Sequence, residues 1–316
     1  MNLKYQLLQA GTLPNGKVRG RYAPSPSGVQ HLGNIQTAIL SWLQVRLAGG
    51  EFALRMDDID TPRIRAGSAE QIIDDLRWLG LDWDVLTGIE YEPSEEELYL
   101  ESDYLPFYEA AFECLKSKGL LYPCACSRRD IRKAVSAPNA AGHYVYPGTC
   151  RELDVDSFGQ DASLLWRFIV PNYEIEFTDM LIGHYSQNTA HAWGDIIVRR
   201  RGGLFAYQLV SVVDDIHMGV SDVVRGEDLL EQTPGQIALF RALDAELPRF
   251  WHVPVKTDSE GNKLAKRDGS DSLQNLRTAG KRAEEVIAEL AFELELIDCP
   301  EPLSLEELLA HMRLAK

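Results

Sequence analysis

Arg21-Tyr22-Ala23-Pro24-Ser25-Pro26-Ser27-Gly28-Val29-Gln30-His31-Leu32-Gly33-Asn34 decides how this chain folds, because a strand stops in it and a helix begins. Residues 18–23 alternate well enough for a short buried strand; Pro24 and Pro26 forbid its continuation, and Gly28 can take the positive φ that such a turn needs. From His31 onward the apolar positions Leu32, Ile35, Ala38, Ile39, Trp42 and Leu43 follow helical spacing, so a helix points its N-terminus into the turn. Such an N-terminus carries unpaired N–H groups and partial positive charge, which suits phosphate. His31 and Asn34, one helical turn apart, add side-chain donors, and Gly33 leaves room for a flat ring. The same two residues would also serve as a plain helix cap, so the tetrapeptide alone leaves both readings open.

Working outward, Leu47-Ala48-Gly49-Gly50 ends the helix, and residues 52–56 read as a second buried strand. At its carboxyl end stands Arg55-Met56-Asp57-Asp58-Ile59-Asp60-Thr61-Pro62-Arg63, where a carboxylate can meet a substrate ammonium. Ser68 opens a helical pattern closing at Gly80, and a long helix is expected over 95–118 with Tyr104, Phe107, Tyr108, Ala111, Phe112 and Leu115 on a core-facing stripe. Strands are expected over 164–170, 175–177 and 195–198, then a helix over 205–219 and a strand over 220–224 leading into Arg225-Gly226-Glu227-Asp228-Leu229. Beyond Lys266 come one amphipathic helix around Val286 to Leu294 and a shorter one with a Ser304/Glu307 capping box and a Leu303/Leu308 staple.

Alternating strands and helices give an α/β fold, and 316 residues suffice for a large core. The N-terminus has no apolar segment behind a basic start and no apolar run approaches 18 residues, so a cytoplasmic chain without a membrane span is expected. A net charge of −16 argues against non-specific nucleic-acid binding, although Arg199-Arg200-Arg201 and residues 256–267 are local basic clusters that could serve one specific RNA site. Five cysteines do not read as a disulfide framework. Three of them, Cys124, Cys126 and Cys150, lie within 27 residues and suggest a tetrahedral zinc site, against the alternative of three unrelated thiols. By residue chemistry the fourth ligand is open between Tyr146 and His143.

A second basic stretch, Lys263-Leu264-Ala265-Lys266-Arg267-Asp268-Gly269-Ser270, has two lysines three apart that can close over a triphosphate as pyrophosphate leaves. Together the H-x-G-N and K-L-A-K-R stretches resemble the two signatures of class I aminoacyl-tRNA synthetases, and R-Y-A-P-S-P-S-G narrows the resemblance to the glutamyl type. That resemblance covers residues 18–270. It implies a Rossmann-type catalytic domain in two halves, 18–119 and 196–256, behind an extension of residues 1–17. An inserted zinc-binding, strand-rich subdomain would span 120–195, and 257–316 would hold the signature loop and a short helical region without an anticodon-binding domain. The short C-terminal region, the cysteine cluster and the Asp57-to-Arg63 form of the acidic turn point to the branch that glutamylates queuosine.

The resemblance assigns His31, Asn34, Lys263 and Lys266 to catalysis; His31, Gly33, Asn34 and Lys266 to ATP; and Arg21, Ser25, Asp57, Tyr207 and Arg225 to glutamate. Cys124, Cys126, Tyr146 and Cys150 match a C-x-C…Y-x-x-x-C zinc set. It implies a ligase, acting as a monomer, that activates glutamate with ATP and magnesium and esterifies it to queuosine in the anticodon of tRNA(Asp). Ala265 departs from the usual serine between the two lysines. A shortened ordinary glutamyl-tRNA synthetase charging the 3′ end, a silent tRNA-binding regulator, and an adenylating enzyme with a non-tRNA acceptor share parts of this reading.

Overall fold

The computed structural model describes residues 3–9, 17–89, 91, 93–94, 96–135, 137–139, 142–153, 156, 158, 163–254 and 272–315. Helix α1 (Leu3–Gln9) precedes β1 (Arg19–Tyr22), α2 (Leu32–Leu47), β2 (Glu51–Met56), α3 (Ser68–Trp78), β3 (Tyr99–Leu100) and α4 (Leu105–Ser117). An excursion follows through β4 (Leu121–Cys124), α5 (Arg128–Ala134), β5 (Leu165–Phe168), the hairpin β6 (Ile175–Asp179) and β7 (Gly183–Gln187), α6 (Thr189–Ala192) and β8 (Ile196–Arg199). The chain returns through α7 (Tyr207–His217), β9 (Asp222–Gly226), α8 (Thr233–Ala242) and β10 (Arg249–Val253), then closes with α9 (Leu273–Thr278), α10 (Ala283–Glu293) and α11 (Leu305–Leu314).

Five strands make one parallel sheet in the order β10-β9-β1-β2-β3. The order reverses at β1, whose two neighbours lead to opposite edges, so the crevice beyond the carboxyl ends of β1 and β9 is where such a sheet takes a ligand. Helix α2 lies close over β1 because residue 20 is glycine: a Cβ there would stand 2.5 Å from Val45 Cγ2. One apolar core joins β1 and β2 to α2, α3, α10 and α11, and a second packs α4, α7 and α8 against the sheet through Tyr108, Phe112, Leu209, Val213 and Ile237.

The expected strand and helix around the opening stretch are present, and the 3.6 periodicity of residues 32–43 is that of a helix buried against the sheet. The helix expected over 95–118 is shorter. Pro106 sits in the first turn of α4, the place where a proline's missing N–H costs nothing, and the residues before it form β3 and a 3₁₀ turn over Glu101–Tyr104. Leu165–Phe168 pairs with β4 on one side and with Ile196–Arg199 on the other. The sheet of the excursion thus includes residues 196–199. The final capping box stands as expected, with Ser304 accepting from the Glu307 N–H. No helix among the described residues is long and apolar enough to cross a membrane.

Candidate active site

A cavity of about 440 Å³ opens at the reversal of the sheet. Arg21, Ser25, His31, Gly33, Asn34, Asp57, Tyr207 and Arg225 all line it, so eight residues chosen from the sequence share one wall. Lys263 and Lys266 lie outside the described residues. At the α2 terminus His31 Nδ1 accepts from the Asn34 N–H at 3.3 Å, and Asn34 Oδ1 accepts from the His31 N–H at 3.3 Å. The two form a reciprocal capping box while also facing the cavity, so capping and lining the pocket are compatible roles here.

The floor is a buried charge network that links β1, β2 and α7. Arg21 Nε donates to Asp215 Oδ1 at 2.9 Å, and Arg55 donates to Asp57 at 2.8 Å and to Asp215 at 2.9 Å. Arg21 thus enters the pocket already paired with Asp215. Burial would raise the Asp215 pKa, but Arg21 and Arg55 outweigh it and hold the carboxyl below its usual range. Beside it Asp214 is pushed up to about 7 by burial, with Arg55 and the Tyr108 hydroxyl at 2.6 Å pulling the other way. Glu101, pressed into the same floor next to Asp57, is pushed up to about 11, chiefly by burial. At neutral pH the floor therefore holds a protonated Glu101.

Arg225 is bound differently. Its Nη1 donates to Gln236 Oε1 at 2.7 Å, its Nη2 to Thr233 Oγ1 at 2.7 Å and its Nε to His252 Nε2 at 3.1 Å, all uncharged acceptors. Of five guanidinium donors these use three, and the residue borders the cavity. The pocket thus offers Asp57 for an ammonium and, for a carboxylate, a guanidinium that forms no ion pair with a carboxylate among the described residues, across a helix N-terminus for phosphate.

Sequence reasoning missed Arg55, Glu101, Asp214, Asp215 and His252. An arginine close to the carboxyl end of a buried strand and adjacent aspartates inside an apolar helix are the signals that could have flagged Arg55 and the pair; nothing local marks Glu101 or His252.

In the excursion, Cys124, Cys126 and Cys150 bring their Sγ atoms within 4.8 Å of one another. A tetrahedral zinc with thiolates at about 2.3 Å requires sulfurs roughly 3.8 Å apart, so the donor set fits zinc. Cys126 and Cys150 are 3.5 Å apart, and the Tyr146 hydroxyl lies 3.3 Å from Cys124 Sγ and accepts from the Cys150 N–H at 2.9 Å. His143 instead stacks on Trp193, ring centroids 4.1 Å apart. Burial and the neighbouring thiols push Cys126 up to about 12; Cys124, although buried, is brought below its usual value by Tyr146 and Arg167. Gly194, between α6 and β8, lets the backbone close on this site, since a Cβ there would meet the Tyr146 carbonyl at 2.2 Å.

The family described as tRNA synthetases class I (E and Q), catalytic domain, matches residues 17–292. The chain is 45% identical to a glutamyl-Q tRNA(Asp) synthetase of Symbiobacterium thermophilum over 94% of its own length and 93% of that protein's. It is 40% identical to a protein of the same name from Prochlorococcus marinus, over 98% and 92%. Among solved structures, a glutamate tRNA ligase of Elizabethkingia meningosepticum in complex with its amino acid superposes with a TM-score of 0.76 at 27% identity, matching 93% of this chain, which spans 64% of that ligase. Sheet order, cavity and these matches agree: the chain belongs to the class I tRNA synthetases and, within them, to the glutamyl-Q tRNA(Asp) synthetase family.

Proposed function

We propose that this protein activates glutamate with ATP and transfers it to the queuosine base in the anticodon of tRNA(Asp), in the cytoplasm, where that tRNA is found. The observation that carries the first half is the pairing in one cavity of Asp57 with Arg225 and Tyr207, a set complementary to a zwitterion, beside the N-terminus of α2. The relatives' names carry the second half.

Glutamate would lie with its ammonium on Asp57, whose Oδ1 is occupied by Arg55 so that Oδ2 receives the substrate, and with carboxylate oxygens on Arg225 and the Tyr207 hydroxyl. ATP would place its phosphates at the N–H groups of α2 with His31 and Asn34 alongside and its ring over Gly33. The substrate α-carboxylate is itself the nucleophile on the α-phosphate, which releases pyrophosphate, so no general base is required. Catalysis is then positioning and charge stabilisation, with Lys263 and Lys266 meeting the leaving pyrophosphate and magnesium accompanying the nucleotide. Ser25 and Arg21 shape the amino-acid end, Arg21 by fixing Asp215.

In the excursion Cys124, Cys126, Cys150 and Tyr146 would hold one structural zinc. The donor spacing favours Tyr146 over His143, which is engaged with Trp193. The ion would add its charge to that of Arg167, whose Nε lies 3.4 Å from Cys124 Sγ.

The test is in two parts. Glutamate-dependent exchange of pyrophosphate into ATP should proceed with the purified chain; its absence overturns the activation step. Labelled glutamate should then attach to tRNA(Asp) containing queuosine, and survive removal of the 3′-terminal nucleotides. Label that does not need queuosine and disappears with the 3′ adenosine would instead identify an enzyme that charges the acceptor end.

A further inference from the structure

One buried histidine takes no part in the chemistry above, yet it touches the arginine on which glutamate recognition depends. His252 lies in β10 directly beside Arg225 of β9 in parallel register, and only 1% of it is exposed. Its Nε2 stands 3.1 Å from Arg225 Nε and 3.0 Å from Thr233 Oγ1. Its Nδ1 stands 2.6 Å from Asp179 Oδ2. A guanidinium has no lone pair to offer, so His252 Nε2 has to be the acceptor and the ring proton has to sit on Nδ1, where Asp179 takes it. Burial pushes the His252 pKa down, and the adjoining Arg225 adds to this against the pull of Asp179, so the ring stays neutral.

Asp179 cannot turn to serve other partners. It closes β6, and its Oδ1 accepts from the N–H groups of Leu181 at 2.9 Å and Ile182 at 3.0 Å. Its Oδ2 also faces the His252 N–H at 3.2 Å. Burial would raise this carboxyl, but the His252 hydrogen bond and the two backbone donors outweigh it. The result is a fixed series from the hairpin into the cavity wall: carboxylate, neutral imidazole, guanidinium.

We propose that Asp179 and His252 are positioning residues for amino-acid recognition: Asp179 fixes the imidazole tautomer, Nε2 then anchors the Arg225 Nε–H, and the unused guanidinium donors are thereby held toward the substrate carboxylate. This rests on the reading of Arg225 as the carboxylate-binding arginine. It also gives the β6–β7 hairpin a function, since that hairpin supplies the carboxylate that sets the geometry of a pocket formed by other elements. Orienting groups of this kind behind a recognition or ligand side chain commonly carry a 10- to 100-fold effect, roughly.

Asp179→Asn is the informative change. The Leu181 and Ile182 N–H groups require an oxygen at the Oδ1 position, so the amide NH₂ must face His252 Nδ1, driving the ring proton to Nε2 and against the Arg225 N–H. In pyrophosphate exchange the glutamate KM should rise at least about 10-fold while the ATP KM stays within about twofold. His252→Phe should show the same split, whereas His252→Gln, which retains an acceptor near the Nε2 position, should stay within about threefold of the wild type. The ¹⁵N spectrum of histidine-labelled protein, with the His252 signals assigned by their loss in His252→Gln, should show an unprotonated Nε2 in the wild type and a protonated one in Asp179→Asn. A folded Asp179→Asn variant with an unchanged glutamate KM, a parallel rise in the ATP KM, or a protonated Nε2 in the wild type overturns the proposal. Arg225→Ala separates the two readings: if it leaves the glutamate KM unchanged, the assignment of Arg225 falls and the positioning role with it. If it raises that KM and Asp179→Asn does not, only the positioning role falls.

Discussion

The cavity floor and the cysteine cluster both bury ionisable groups, and they compensate them in opposite ways. In the floor each cation meets a carboxylate of the chain itself: Arg21 on Asp215, Arg55 on Asp57 and Asp215. In the cluster three thiols and the Tyr146 phenol meet Arg167, whose Nε lies 3.4 Å from Cys124 Sγ and whose guanidinium lies 3.7 Å from the Tyr146 ring. Arg21 and Arg55 are thus paired within the chain without a ligand. The cluster gathers three thiol donors with the spacing that suits a metal ion. The comparison teaches that the two sites should fail differently, one when an internal partner is removed and the other when an external ion is removed.

The largest expected effect breaks the first half of that contrast. Arg55→Met would leave Asp57 and Asp215 buried without their shared partner and should cost about 3–5 kcal/mol of unfolding free energy, measured by denaturant titration. A loss below about 1 kcal/mol would mean that the floor is not held together by this arginine. Next, Asp57→Asn keeps the shape of the floor but removes the charge offered to the substrate ammonium. The glutamate KM should rise by an equivalent of about 2–4 kcal/mol with the ATP KM little changed, and equal KM values for both proteins would remove Asp57 from the recognition set.

The cluster is tested by metal content. The purified chain should carry about one zinc, and Tyr146→Phe should weaken its retention against a competing chelator roughly 10- to 100-fold, while His143→Ala leaves it unchanged. The reverse ranking would move the fourth ligand to His143. A change read against pH sharpens the comparison. Glu101 has a folded pKa near 11, well above the unfolded carboxyl, so its contribution to stability is complete at low pH and is lost as pH rises from the unfolded value toward the folded one. Glu101→Gln, which never ionises, should therefore gain stability relative to wild type between pH 5 and pH 8, by roughly 1 kcal/mol per pH unit at most. A constant difference across that range would place Glu101 in its ionised form.

Much of the site was legible because its determinants are local. Two prolines and a glycine stop β1, periodicity starts α2 within eight residues, and the cysteines lie close together along the chain. The floor was not legible for the complementary reason. Arg21 and Asp215 are separated by 194 residues, Arg55 and Asp215 by 160, and His252 and Asp179 by 73. No short-range pattern records such pairings, and each side chain taken alone looks like a cost that only the topology of the parallel sheet repays. Glu101 shows the same limit. In an expected polar helix it reads as a solvated surface residue, whereas the 3₁₀ turn before Pro106 turns it into the floor.

The capping box at the start of α2 bears on how a nucleotide would be received. His31 and Asn34 each satisfy the other's backbone N–H, so two of the donors at this terminus already have internal acceptors. At those two donors occupancy becomes an exchange reaction, in which phosphate oxygens compete with internal acceptors already in place. Such an exchange orders little chain and gains little net enthalpy per bond, which makes the nucleotide end a calibrated, readily reversible contact and leaves selectivity to the buried charges at the other end of the cavity.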